Sequence, residues 1–400
     1  MQPLAGVRVV ELAVWVAGPS TAGMLADWGA DVVKVEPPTG DPYRHVFATQ
    51  GLDASLPAAP FAMDNRGKRS LVLDLHVDEG REVLDRLLGE ADIFVTNLRP
   101  AALGRLGLGH ADVLARHPRL VYGLVTGYGI AGPEKDRPGY DIGAFWARTG
   151  LAMQSAPKDE PPPTPRSALG DHTTGLASLG GILAALHHRN ATGEGTLVET
   201  SLQRTGMYCL GVELGVQLVL GRVARAVPRT ESQSPLLNSY RTGDDRWFFL
   251  IGLEADRHFP GVARAADRLD LLKDERFGTS RDRLRNRRAL IAELDEAFAL
   301  QPLSEWARRF DAEDVWWAPA QTAAEVVEDA QALESGAFVE IDGGESPALH
   351  AVAAPAQFGG EALGRTGPVP ALGQHTDEVL TSMGYDDEAR ARLRASGATV

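Results

Sequence analysis

The sequence predicts an α/β protein: a Rossmann-like large domain with a parallel sheet, plus a smaller α+β domain. Three observations carry this. Short β-branched runs alternate with helix-period stretches through the first 130 residues. A proline-rich loop, Ala156–Pro165 (APKDEPPPTP), then interrupts the pattern, and from about Val223 the texture becomes short strands and charged helices. Strand–helix–strand alternation implies a parallel sheet covered by helices on both faces.

Taken in order, Val7–Leu12 (VRVVEL) and Asp31–Glu36 (DVVKVE) are expected as buried strands. Between them Gly18-Pro19 opens a helix, since proline is tolerated at its start, and Met24, Leu25 and Trp28 share one face. Ser70–Leu75, Ile93–Val95 and Leu120–Val125 continue as strands, with Val83, Leu84, Leu87 and Leu88 as the stripe of a covering helix. The proline loop cannot be helix or central strand. After it, Leu176, Leu179, Ile182, Leu183 and Leu186 mark one face of a long helix. Gly175, Gly180 and Gly181 lie within that helix. Each costs about 1 kcal/mol relative to alanine, so another backbone or a ligand is expected to approach closely. Farther on, Trp247–Ile251 reads as a strand, and Arg281–Ala299, Leu303–Phe310, Thr376–Met383 and Asp387–Ala395 read as helices.

Composition narrows the function. Of 400 residues, 44% are apolar and 24% charged, ordinary globular usage that supplies a sizeable core. The 54 acidic residues against 40 basic give a net charge of -14, a surface that repels nucleic acid and anionic membrane. A single cysteine, Cys209, precludes an intrachain disulfide and a cysteine-rich zinc site. Leu176–Leu186 is far shorter than the ~20 residues of a spanning helix, and Tyr208–Leu220 is broken by Glu213. The start lacks a basic n-region, so no signal peptide is expected. The expectation is a soluble cytoplasmic enzyme without nucleic-acid or membrane partners.

A dinucleotide site fits poorly. Glu36 ends the second strand as a ribose-binding acid would, but Val16–Gly23 (VAGPSTAG) does not match G-x-G-x-x-G. The ten histidines are scattered without H-E-x-x-H spacing, so no metal site is expected, and G-x-S-x-G is absent. What remains is Gly170-Asp171 ahead of the long helix, with Arg66–Arg69 (RGKR), Arg99, Arg105 and Arg137 upstream. Asp171 fits a helix N-cap, worth about 1 kcal/mol. It also fits a nucleophile kept ionised by helix-end amides. A carboxylate attacking a thioester makes a mixed anhydride, which conserves the activation for a second acceptor. Gly170 would leave room and offer an amide to the oxyanion. The basic residues fit solvated surface charge, or a phosphate-rich ligand with an extended arm. Arg99 and Arg105 lie just past Ile93–Val95, where crevices open in doubly wound sheets.

Motif order adds a resemblance. The stretches are Gly6–Leu12 (GVRVVEL), Ala17–Pro19 (AGP), Gly29–Glu36 (GADVVKVE), Gly67–Ser70 (GKRS), Asn97–Pro100 (NLRP) and Arg105–Leu108 (RLGL). They continue through Thr126–Gly129 (TGYG), Gly139–Asp141 (GYD), Gly170-Asp171, Gly181–Leu186 (GILAAL), Thr192–Gly195 (TGEG), Asp274–Phe277 (DERF) and Leu372–Leu380 (LGQHTDEVL). In this order the chain resembles the family III CoA-transferases, the CaiB/BaiF group, which also contains 2-methylacyl-CoA racemases. The resemblance implies a large domain over 1–222, a small domain over 223–330, and a tail, 331–400, that returns to the large domain. It implies an interlocked homodimer. It further implies that Asp171 moves CoA from an acyl-CoA to a free carboxylic acid through a mixed anhydride and an aspartyl-CoA thioester, CoA being substrate and no cofactor being needed. By the same resemblance, Trp15, Val16 and Ala17 line the pantetheine arm, while Lys68, Arg69, Asn97, Leu98 and Arg105 meet the nucleotide end. Arg137 adds a basic contact, and Tyr140 and Gly170 border the substrate pocket.

Departures sort the members. Racemases of the group carry Gly-His-Asp where this chain has Gly139-Tyr140-Asp141. Tyrosine, ionising near about 10, is a poor proton shuttle at neutral pH, which favours a transferase. The four-glycine run of formyl-CoA transferase has no counterpart in Asn238–Arg257, which argues against oxalate and formate. Trp316 and Trp317 fit a larger acyl pocket or plain core. The alternatives are a racemase with Asp171 as base, and a non-catalytic acyl-CoA-binding homologue.

Overall fold

A computed structural model describes residues 1–49, 51, 53, 58–343 and 349–400. Its main sheet has six strands: β1 (Arg8–Leu12), β2 (Asp31–Glu36), β3 (Arg69–Val72), β4 (Ile93–Thr96), β5 (Val121–Thr126) and β6 (Leu197–Ser201). Their order is β3-β2-β1-β4-β5-β6, and every neighbouring pair is parallel. The order reverses between β1 and β4. A crevice therefore opens beyond the carboxyl ends of those two strands.

Strand residues alternate between two cores because successive side chains point to opposite faces. Val10, Leu12, Val33, Val35, Phe94 and Tyr122 pack with Val83, Leu84 and Leu87 of the helix Asp78–Glu90, and with Val379, Leu380 and Leu393 of the tail. Val9, Val32, Ile93, Val95 and Val121 pack with Leu25 of the helix Ala17–Asp27 and with Leu179, Ile182 and Leu186 of the helix Leu169–Thr192. The tail helices Thr376–Ser382 and Asp387–Ala395 thus cover a sheet made largely from the N-terminal half.

Of the long helix's glycines, Gly175 meets another helix's backbone as expected, while Gly181 meets a side chain instead. A Cβ on Gly175 would lie 2.3 Å from Ser20 Oγ and 3.3 Å from the Ala17 carbonyl oxygen, and one on Gly181 would lie 2.6 Å from Val198 Cγ1. Gly180 has nothing within 4 Å.

Three elements differ locally from expectation. β3 stops at Val72, three residues early. β6 was not anticipated: as an edge strand it keeps four of its five residues half-buried and carries Glu199 and two hydroxyl residues, so it lacks the apolar run of its neighbours. The expected helix Arg281–Ala299 breaks into Ser280–Arg285 and Arg287–Phe298 at Asn286, whose side-chain amide donates to the carbonyls of Asp282 and Arg276. Such side-chain bonding competes with the helical ladder.

The described chain forms two compact units, 1–153 with 164–223 and 331–400, and 154–163 with 224–330. The first also holds a small sheet of Phe338–Ile341, Leu349–Val352 and Arg365–Thr366. The second has an antiparallel sheet of Ser239–Arg241, Trp247–Leu250 and Trp317–Pro319. Its core is aromatic: Phe248 and Phe298 lie 5.1 Å apart between ring centroids, beside Tyr240, Trp306 and Phe310. Trp317 packs against that core, whereas Trp316 is exposed with its ring 4.7 Å from His258. No helix among the described residues is long and apolar enough to cross a membrane.

Candidate active site

The crevice is built from two chain segments that leave β1 and β4. Asn97, just past β4, clasps the turn after β1 at two points: its Oδ1 accepts from the Val14 amide at 3.0 Å and its Nδ2 donates to the Val14 carbonyl at 2.6 Å. Trp15 follows at φ +66°, a left-handed conformation that costs an L-residue roughly 1–2 kcal/mol. Its amide is held there by Asp41 Oδ1 at 3.1 Å, and its ring meets Tyr43 and Tyr140 at centroid distances of 6.0 and 6.1 Å. Gly18 lets the next helix sit on this turn, since a Cβ there would fall 2.6 Å from Ala13 Cβ.

Beneath the turn lies a buried ionic cluster. Lys34 Nζ is 2.7 Å from Glu11 and 2.9 Å from Asp41, while Lys68 Nζ is 2.6 Å from Glu11 and also donates to Asn65 and the Pro19 carbonyl. Burial pulls Lys68 down to about 8 despite the Glu11 charge. Asp41 links this cluster to the Trp15 amide.

Asp171 stands in the first turn of the helix Leu169–Thr192 and faces a cavity of about 430 Å³. Trp15, Val16, Ala17, Asn97, Leu98 and Tyr140 line the same cavity, with exposed Arg99, Lys135 and Arg137. A second cavity of about 520 Å³ shares the walls Val14 and Leu98 and holds Arg105 and His76. Eight of the expected residues are thereby brought to one space, and Arg105 to its neighbour.

Four expectations are corrected. Asp171 is not the N-cap: Ala168 is, and Asp171 lies three residues in. Gly170 does not present a free amide, because that amide donates to Asp141 Oδ2 at 3.1 Å. Gly170 is required instead by packing, since a Cβ would fall 2.2 Å from Asp141 Oδ1 and 2.3 Å from the Phe145 ring. Lys68 is fully enclosed by Glu11, Asn65 and Pro19, so its ammonium cannot meet a ligand phosphate. Arg69 pairs with Asp31 at the amino-terminal edge of the sheet, the end opposite the crevice. Arg137 stays at the cavity, though it also pairs with Glu134 at 2.5 Å.

The electrostatics also run against the helix-amide expectation. Burial, with the charges of Asp141 and Asp64, pushes the Asp171 carboxyl up to about 7, and His172 only partly opposes this. Asp141 is itself raised by burial. For His172, burial disfavours the charged ring, but the hydrogen bond and charge of Asp64, 3.1 Å from Nε2, hold the imidazole above its ordinary value. Asp64 and His172 carry no sequence signal: one lies in an unremarkable AMDN run, the other is simply the residue after Asp171. Among the described residues no His/Cys/Asp/Glu group could hold a metal ion.

Comparison with known proteins shows the family. A family model, CoA-transferase family III, matches residues 4–376. The chain is 34% identical to the (R)-2-hydroxy-4-methylpentanoate CoA-transferase of Clostridioides difficile, covering 96% of each chain. It is 32% identical to the cinnamoyl-CoA:phenyllactate CoA-transferase of Clostridium sporogenes, covering 96% of this chain and 94% of that one. A crystal structure of a CaiB/BaiF family protein from Brucella suis superposes with TM-score 0.83 at 30% identity, covering 96% of this chain and 99% of the other.

Proposed function

The chain belongs to CoA-transferase family III, and from that premise we propose that it moves CoA from an acyl-CoA to a free carboxylic acid with Asp171 as the covalent nucleophile. The observation that carries this is the Asp171 carboxylate at the β1/β4 crevice, facing a cavity bordered by Arg99, Lys135 and Arg137. In the proposed course an Asp171 oxygen attacks the thioester carbonyl, the C–S bond breaks, and its electron pair leaves on the CoA thiolate. The thiolate then attacks the Asp171 carbonyl of the mixed anhydride, releasing the donor acid as carboxylate and leaving aspartyl-CoA thioester. An acceptor carboxylate repeats the two steps in reverse, yielding the new acyl-CoA and free Asp171. No proton is consumed. A carboxylate made more basic by burial is also the stronger nucleophile once ionised.

The paired cavities suit an elongated thioester. Its nucleotide end lies by Arg105 and His76, its arm crosses Val14 and Leu98, and its carbonyl reaches Asp171. We take the protein as a homodimer. The helix Gly211–Leu220 supports this, with Val212, Leu218 and Val219 at least 79% exposed, an apolar face that monomers rarely leave uncovered.

Mass spectrometry tests the chemistry. After incubation with short and branched acyl-CoAs and a hydroxylamine trap, the Asp171 peptide should be modified in wild type and unmodified in Asp171→Ala. An Asp171→Ala protein that still transfers CoA would overturn the proposal. Deuterium entering the α-carbon with no acceptor acid present would point to the racemase alternative.

A further inference from the structure

One buried carboxylate, Asp41, gathers bonds from both sides. Its Oδ1 accepts from the Trp15 amide at 3.1 Å and from the Tyr43 amide at 2.9 Å. Its Oδ2 lies 2.9 Å from Lys34 Nζ, which also donates to the Ala13 carbonyl at 3.0 Å. The side chains of Asp41 and Lys34 are both 0% exposed. The Asp41 amide in turn donates to Glu36 Oε1 at 3.1 Å, and Arg44 pairs with Glu36 at 2.7 Å. A buried polar network with its members paired is rigid, because movement leaves a group unpaired in a dry interior.

Trp15 is the residue this network fixes. At φ +66° it holds a strained conformation, which its bond to Asp41 offsets. Its ring packs on Tyr43 at 6.0 Å and on Tyr140 at 6.1 Å, and Trp15 and Tyr140 line the cavity that Asp171 faces. Tyr43 shares those surroundings: burial and the charges of Asp64, Asp171 and Asp41 hold its phenol above the ordinary value. Asp41 does not itself line the cavity. We propose that Asp41 is a positioning residue for the thioester: by fixing both amides it holds the Trp15 ring, braced by Tyr43, as a wall against which the acyl-CoA arm lies. A small misplacement of such a wall is amplified, since productive geometry is narrow. The proposal rests on the transferase reading, which brings a CoA thioester to this cavity.

Calorimetry with S-ethyl-CoA, a thioether with no carbonyl to attack, tests it on the full chain. Asp41→Asn keeps the side-chain shape but turns its NH2 group toward either Lys34 or the two amides, so one contact fails. Its Kd should rise at least tenfold, and so should that of Trp15→Ala. The double variant should bind no more than about threefold more weakly than Trp15→Ala alone, because residues that act through one another are not additive. Losses that multiply overturn the inference, as does a Kd within about threefold of wild type for either single variant, or no binding by wild type. A merely structural Asp41 would lower the stoichiometry and leave Kd unchanged, which also overturns it. If Asp41→Asn does not fold, hydrogen exchange on wild type decides: S-ethyl-CoA should slow exchange of the Trp15 and Tyr43 amides at least threefold, and unchanged exchange overturns the inference. None of these readouts needs CoA transfer, so a protein that binds in this way but transfers nothing would sink the transferase reading alone.

Discussion

A free aspartate ionises near about 3.9, but Asp171, withdrawn from water and facing Asp141 and Asp64, ionises at about 7. Only the carboxylate can attack a thioester, so kcat/KM should rise with pH through about 7 and level off above it. Asp141→Asn keeps an acceptor for the Gly170 amide but removes one of the charges that raise Asp171. Its acid limb should therefore move to lower pH, and an unmoved limb would deny Asp141 that influence. The same shift bears on stability. Between about pH 4 and 7 the folded protein holds a proton on Asp171 that the unfolded chain has released, so stability falls as pH rises through this window. Asp171→Asn should stabilise the protein at pH 8 by on the order of 2 kcal/mol and hardly at all at pH 4, as read by urea unfolding at the two values.

At the scale of elements, the turn after β1 depends on partners from other segments. Asn97 holds Val14, and Asp41 holds the Trp15 amide at a strained φ. Asn97→Ala removes two intramolecular hydrogen bonds of about 1 kcal/mol each, so it should lower the melting temperature by a few degrees and, by loosening the turn that lines the cavity, raise KM for acyl-CoA severalfold. Below the turn, Lys34→Met would leave Glu11 and Asp41 short of their shared cation in a dry interior. Removing one partner of such a cluster typically costs about 3–5 kcal/mol, so thermal unfolding should shift strongly downward. The approach of two helices at Gly175 is equally intolerant. Gly175→Leu drives a side chain into Ser20 and the Ala17 carbonyl, with an expected loss of about 2–4 kcal/mol.

For the whole molecule, the acidic balance of -14 keeps copies apart except where charge is absent. The helix Gly211–Leu220 is such a place, with Glu213 as its one charged residue. Replacing Leu218 and Val219 together by glutamate should weaken self-association, measured as a fall in sedimentation coefficient at micromolar protein with unchanged circular dichroism. An unchanged sedimentation coefficient would deny this helix a part in self-association.

Patterning carried much of the architecture. The strands β1 to β5, their covering stripes and the tail helices are all visible as periodicity, because a strand buried on both faces has to be a β-branched run and a covering helix has to show an apolar stripe. Gly170-Asp171 stood out as a glycine–aspartate pair ahead of an apolar-periodic helix, whereas the turns after β1 and β4 entered only through the order of the family's motifs. What periodicity could not give was the company each polar residue keeps. Lys68 and Arg69 read as ligand contacts, yet one is enclosed by Glu11 and the other sits at the far edge of the sheet. Asp64, 107 residues before Asp171, becomes its electrostatic neighbour only when the helix Ala59–Asn65 is brought against the long helix's first turn. Burial and long-range pairing set the charge, proton affinity and accessibility of these groups, and both belong to the folded chain.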